Sequence, residues 1–143
     1  MFLWEKQRTI SALYIQLTRP ICENNGLTQM EYDILMFLYT HPELDTAADI
    51  IRTRRLTKSH VSAALKLLRA KGLVHRKENE AIQRNIHIRL TEKAAAIVEA
   101  GRKAQAAFLS QLFEGFSADE QTLCALLFDR MCENADRRLR EAT

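Results

Sequence analysis

With 143 residues, 47% of them hydrophobic and 27% charged, and only four Gly and two Pro, the chain has the composition of one folded, largely helical domain rather than a disordered segment. No apolar run approaches the roughly 20 residues that span a bilayer. The opening MFLWEKQRTISALYIQL mixes acid and base in its first turns and lacks a small-residue cleavage site, so a secretory leader is not expected and the cytoplasm is the expected compartment. The net charge of +3 is unevenly laid out: residues 51–93 hold twelve Lys or Arg against three Glu (+9), residues 1–50 three against seven acids (−4), and residues 94–143 six against eight (−2). A basic cluster of this kind binds polyanions by releasing their condensed counterions.

In chain order, Leu3, Ile10, Leu13, Tyr14, Leu17 and Ile21 recur at three-or-four spacing and predict an amphipathic helix over about 3–22, ended by Asn24-Asn25-Gly26. Thr28 with Glu31, Thr46 with Asp49, and Ser117 with Glu120 place a hydroxyl and a carboxylate three apart, the pattern that caps a helix start. The first opens a helix to about His41, stopped by Pro42, with Tyr32, Leu35, Met36 and Tyr39 expected inside; the second opens a short helix to about Arg54. Thr57 caps a fourth helix that closes at Gly72, with Val61, Leu65 and Leu68 inward and Lys58, Ser59, His60, Ser62, Ala63, Lys66 and Arg69 on its other faces. The period then changes: residues 73–77 and 85–90 read as the two strands of a hairpin whose tip is 78–84. Thr91 is expected to cap a long helix to about Phe113 with Ile97, Gly101, Ala104, Phe108 and Leu112 in one seam. Glu114-Gly115-Phe116 breaks it, and a last helix from Ser117 turns Leu123, Leu127, Met131, Ala135 and Leu139 inward. No linker, repeat or low-complexity tract interrupts the chain, which predicts one cooperative unit.

A short helix joined through Arg-Leu-Thr to a helix with a polar, basic outer face is the helix-turn-helix arrangement, and a basic hairpin directly behind it makes a winged helix. An α-helix fits the major groove, its first turns reach base edges, and cations hold it against phosphates. Lys58, Lys66, Arg69 and Arg84 are the expected phosphate contacts, the hairpin offers Lys77 and Arg84 to an adjacent backbone or minor groove, and Ser59, His60, Ser62 and Ala63 are the groove-facing positions; a first-turn Ser equally satisfies free helix N–H groups. Arg54 and Arg55 lie in the turn, where they either meet a phosphate or interact with a helix C-terminus. His75 and His87 read as packing or solvent-facing residues.

Leu27-Thr28 with Tyr32 and Leu35, then LTKSHVSAALKLLRAKGLVHR, then Arg84 six residues ahead of Leu90-Thr91, resemble the MarR family of bacterial regulators over nearly the whole chain. The resemblance implies a mainly α-helical fold with a small β-hairpin wing, in which a winged helix-turn-helix region (28–91) sits between terminal dimerisation helices (1–22 and 110–140), all within one domain, 1–143. It also implies a groove helix beginning at Lys58, a wing tip at Arg84, and a small aromatic or phenolic effector between dimer interface and winged helix. For that site Trp4, Tyr14, Tyr32 and Met36 are the wall candidates. Two positions depart from the pattern: the family often has Asp where Ile82 stands, positioning the wing Arg, and Arg where Leu67 stands.

Three cysteines without a CxxC pair disfavour a disulfide scaffold or zinc ribbon; buried thiols are the simplest account, with Cys22, near a helix end, the candidate redox sensor. Four histidines show no metal-ligand spacing, and no cofactor is expected. The resulting expectation is a homodimeric DNA-binding regulator of pseudo-palindromic duplex sites, a repressor relieved by effector or thiol oxidation. The rivals are a winged helix that binds an acidic protein and a small enzyme. Nothing supports the latter, since no nucleophile–base pair, paired carboxylates or Gly-rich phosphate loop is found.

Overall fold

The computed structural model describes residues 2–77 and 86–143. Its elements in order are α1 (Leu3–Asn25), α2 (Gln29–Thr40), α3 (Ala47–Arg54), α4 (Lys58–Ala70), β1 (Val74–Arg76), β2 (Ile88–Leu90), a 3-10 turn at Glu92–Ala94, α5 (Ala95–Leu112) and α6 (Ala118–Glu141). The mainly α fold with a small hairpin is therefore present. The hairpin tip expected at 78–84 lies outside the described residues. Two compact units divide the chain at Phe108 and Leu109.

The helix starts follow the local chemistry. Thr28, Thr46 and Ser117 each accept from the third backbone N–H of their helix, while Glu31, Asp49 and Glu120 bind back to the capping residue's N–H. Thr57 accepts from His60 N–H and so caps α4 alone. Thr91 behaves differently from expectation. It makes no side-chain cap; its hydroxyl donates to the Gly72 carbonyl at 2.6 Å, and a 3-10 turn precedes α5. A tertiary bond thus takes the group that local pattern assigns to capping. α1 runs to Asn25, three residues beyond the expected Cys22, because Gly26 supplies the left-handed conformation (φ 62°) that closes it.

In residues 1–108 the core is built on α2, where Tyr32, Ile34, Leu35, Met36, Phe37 and Leu38 are all buried. Such all-round burial marks a central helix rather than a surface one. Ile50 from α3, Val61, Ala64, Leu65 and Leu68 from α4, Leu73 and Val74, Ile88, and Ala94, Ile97 and Val98 complete it. Tyr39, expected inside, is 46% exposed: it shares the helix face of Tyr32 and Leu35 but lies in the last turn of α2. Gly101 shows why a helix seam needs a glycine: a Cβ there would lie 2.5 Å from Met36 Sδ and 2.8 Å from Tyr32 Oη. β1 and β2 pair antiparallel, with Val74 opposite Leu90, His75 opposite Arg89 and Arg76 opposite Ile88. Thr46 bridges His87, so the residues leading into α3 extend the ladder.

In residues 109–143 the described packing is local. Phe113 and Phe116 stack edge to face at 5.3 Å around Gly115 (φ 82°), and α6 follows. The apolar row on α6 corrects the inward expectation: Leu123, Leu127, Met131 and Leu139 are 45–53% exposed, and no residue of α6 is buried. Periodicity reported an apolar stripe correctly but could not say whether the chain itself covers it.

Candidate nucleic-acid interface

The turn between α3 and α4 is held by Arg55, whose left-handed backbone (φ 52°) lets its N–H and that of Leu56 both donate to the Ile51 carbonyl. Leu56 then tucks against the core. α4 is pinned by Val61, Ala64, Leu65 and Leu68, spaced i, i+3, i+4, i+7 on one face. Geometry therefore turns the opposite face outward. Ser59, Ala63 and Lys66 form its crest, with His60 and Leu67 on one side and Lys58, Ser62 and Arg69 on the other, all exposed. The Ser59 hydroxyl lies 3.4 Å from that of Thr57, so at least part of its bonding is local to the helix start.

Ser62 and Arg69 border a hollow of about 180 Å³ whose other wall includes Val74, His75, Arg76, Ile86 and Ile88. This joins the outer face of α4 to the hairpin. Lys77 continues from β1, exposed, its N–H bonded to His87 O. Arg84 and Ile82 lie outside the described residues.

The basic run of the sequence is sorted by its partners. Arg52 pairs with Asp49 at 2.9 Å, Arg54 with Asp33 at 3.6 Å, Lys71 with Glu31 at 2.6 Å, and Arg89 with Asp45 at 3.4 Å. All four carboxylates come from the acidic segment 1–50. Among the described residues none of Lys58, Lys66, Arg69 and Lys77 is in an ion pair. Among the described residues, carboxylates thus pair with cations at the base and back of the motif and with none on the outer face of α4.

Arg54 occupies a different place from the one expected for a phosphate contact. It lines a cavity of about 570 Å³ with Ile10, Tyr14, Asp33, Met36 and Phe108 among its walls. Gln29 donates to Asp33 at 3.0 Å, Gln105 to the Tyr14 hydroxyl at 3.4 Å, and Tyr14 meets Phe108 edge to face at 5.3 Å. Burial pushes the Asp33 carboxyl above its ordinary value against the opposing pull of Gln29 and Arg54. Of the four wall candidates, Tyr14 and Met36 line this cavity and Trp4 and Tyr32 do not. Trp4 is exposed at the start of α1, and Tyr32 is wholly buried against Gly101, its hydroxyl without a well-formed hydrogen bond among the described residues. Burial, with the neighbouring Tyr14 hydroxyl, pushes the Tyr32 phenol well above its ordinary value. Phe37, Phe108, Gln105 and Asp33 were missed in the sequence, since the cavity joins α1, α2, α3 and α5 and no spacing reports that meeting.

Cys22 has the surroundings of a structural thiol. It is buried, and burial first, then the nearby Asp33 and Glu31 carboxylates, push its pKa up, the reverse of what a thiolate sensor needs. Among the described residues no group of His, Cys, Asp and Glu is arranged to hold a metal, and no helix is long and apolar enough to cross a membrane.

Comparison with known proteins agrees with this geometry. The sequence model of the MarR family matches residues 25–84. An uncharacterized HTH-type transcriptional regulator of Bacillus subtilis, YdgJ, is 27% identical over 109 residues, which are 76% of this chain and 66%, just under two thirds, of that protein. A MarR protein from Peptoclostridium difficile superposes with a TM-score of 0.85 at 15% identity, covering 100% of this chain and 93% of that one. A putative MarR family regulator from Listeria monocytogenes, solved with a 26mer DNA, gives 0.79 at 17% identity over 92% and 87% of the two chains. The MepR–DNA complex of S. aureus gives 0.59 at 25% identity over 90% and 96%. Residues 25–84, which span α2, α3, α4 and β1, thus match the sequence model of the MarR family, and the fold along the whole chain is the one seen in solved MarR proteins.

Proposed function

We propose that the chain is a homodimeric, sequence-specific double-stranded DNA-binding transcriptional regulator. In this reading it represses a nearby promoter by laying the α4 helices of two copies into successive major grooves of a pseudo-palindromic operator, about 34 Å apart. The observation that carries this reading is the exposed outer face of α4, polar and cationic, whose lysines and Arg69 have no carboxylate partner among the described residues. Lys58, Lys66, Arg69 and Lys77, with Arg84 and Arg55, act on phosphates; Ser59, His60, Ser62 and Ala63 meet base edges. The exposed apolar rows of α6 and of the first half of α1 support dimerisation through 1–22 and 110–140, leaving 28–91 as the DNA-binding region.

The test is equilibrium binding to duplexes selected from a random pool. Lys66→Ala and Arg84→Ala should weaken binding to all sequences and each reduce the salt slope by about one. His60→Ala and Ser62→Ala should instead change sequence preference. Unchanged affinity in all four variants, or no duplex binding in dilute salt, refutes the assignment and favours a protein-binding winged helix.

The 570 Å³ cavity supports an effector site. Aromatic walls from Tyr14, Phe37 and Phe108 beside the Arg54 guanidinium suit a small aromatic acid or phenol. Its acidic group would compete with Asp33 for Arg54, at the end of α3 and thus next to the turn that sets α4. A ligand favouring one placement of α4 over another shifts the population by that difference in affinity. Calorimetric titration with benzoate and substituted phenols tests this, and saturation without any loss in Phe108→Ala would rule the cavity out.

A further inference from the structure

Three successive carbonyls at the exit of α4 take their donors from the entry of α5. Lys93 Nζ donates to the Lys71 carbonyl at 2.9 Å, the Thr91 hydroxyl to that of Gly72 at 2.6 Å, and the Thr91 N–H to that of Leu73 at 3.0 Å. Carbonyls at a helix end need donors from outside the helix. Here residues 19 and 22 positions further on supply them. Thr91 precedes the 3-10 turn that opens α5, and its hydroxyl makes this bond in place of a local cap. Gly72, in the left-handed conformation (φ 74°), reverses the chain between α4 and β1. Lys71 turns to the other side, where its Nζ reaches Glu31 and the Gly26 carbonyl. The exit of α4 is thus held on one side to the start of α2 and on the other to the entry of α5.

We propose that Thr91 is a positioning residue that fixes the angle of α4 on α5, and thereby the span between the two α4 helices of the dimer and its preference for one half-site spacing. The span rests on the DNA-binding reading above, in which α5 leads into a dimerising segment and each α4 enters its own half-site. α4 has 13 residues, about 20 Å of helix. A pivot of about 10° at its exit therefore moves its first turn by about 3.5 Å, roughly the rise of one base pair. The apolar contacts of α4 with the core are non-directional, whereas hydrogen bonds at its exit fix an angle. A mis-spaced site demands the pivot and breaks the Thr91 bond; a correctly spaced site keeps it. Gly72 is exposed, so water replaces the lost donor. The effect then lies near the low end for a neutral hydrogen bond, about threefold in favour of the correct span.

The experiment compares wild type, Thr91→Val and Thr91→Ser on a fluorescent duplex selected from a random pool by the wild type, on the same duplex with one base pair added or removed between half-sites, and on one half-site alone. Each altered spacing shifts a half-site by about 3.4 Å and turns it by about 35°. The turn burdens all three proteins alike. Thr91→Val removes the hydroxyl without changing charge or size. It should match wild type within about twofold on the half-site but lose about threefold of the preference for the selected spacing. Thr91→Ser, which keeps the hydroxyl, should retain that preference. An unchanged preference in Thr91→Val, an equal loss on half-site and full duplex, or the same loss of preference in Thr91→Ser overturns the proposal. A DNA-free arm measures amide exchange at Gly72 and Leu73, whose N–H groups close the end of α4. Exchange there should quicken about threefold in Thr91→Val and not in Thr91→Ser. If wild type binds no duplex, the DNA-binding reading falls and the span with it, while equal exchange in all three proteins separately refutes the joint.

Discussion

Replacing Lys71 by Met tests how the winged helix is tied to the helix that carries its core. Lys71, just past the end of α4, donates to Glu31 Oε2 at 2.6 Å and to the Gly26 carbonyl at 2.7 Å, joining the end of α1 and the start of α2 to α4. The Glu31 side chain is 1% exposed. Removing one partner of a buried pair costs about 3–5 kcal/mol. Lys71 is one third exposed, and Glu31 keeps its bond from Thr28 N–H, so screening and residual pairing leave about 2 kcal/mol. In a chain of this size that is a fall of about 4–8 °C in melting temperature. Burial opposes ionisation of Glu31, but Lys71 and the Thr28 amide and hydroxyl outweigh it and hold the carboxyl below its ordinary value. Its contribution to stability is therefore complete above the ordinary carboxylate pKa, about 4.3, and is lost as pH falls through the lower native value. The gap between wild type and Lys71→Met should narrow in acid. Urea unfolding at fixed protein concentration measures both quantities, and Lys71→Met/Glu31→Gln completes a double-mutant cycle in which the second change restores about half the loss or more. A loss below about 0.5 kcal/mol at neutral pH, or a gap that does not narrow in acid, would refute the reasoning.

Gly101→Val should destabilise by about 1–3 kcal/mol through overpacking against Met36 and Tyr32, and the loss should shrink when Met36 is also Ala; additive effects would show that α5 does not depend on this close approach. Leu127→Asp with Met131→Asp on the exposed α6 row should shift the protein from dimer to monomer in sedimentation at micromolar concentration, and an unchanged species would remove α6 from the interface. In native protein Cys22 should react with a thiol reagent only after unfolding; rapid native labelling at that position would contradict its burial and raised pKa.

Sequence alone determined the local events, because they depend on residues a few positions apart. Three reciprocal caps, the Thr57 cap, the Val61, Leu65 and Leu68 stripe and the switch from helix to strand period are all interactions of near neighbours along the chain. The outward face of α4 followed from that stripe, and with it the candidate groove residues. Only the tertiary structure decided which cations are left for a partner. The +9 of residues 51–93 is a sum, whereas the carboxylates that neutralise Arg52, Arg54, Lys71 and Arg89 come from 1–50, most of them distant in sequence. The same limit explains Thr91, drawn from capping to Gly72, and the cavity, to which four helices contribute Tyr14, Asp33, Arg54 and Phe108. It explains His87 as well, ordinary by its neighbours yet bonded to a carboxylate 42 positions away. Short-range chemistry is written in spacing; charge pairing and enclosure arise when distant segments meet, and spacing carries no record of that meeting.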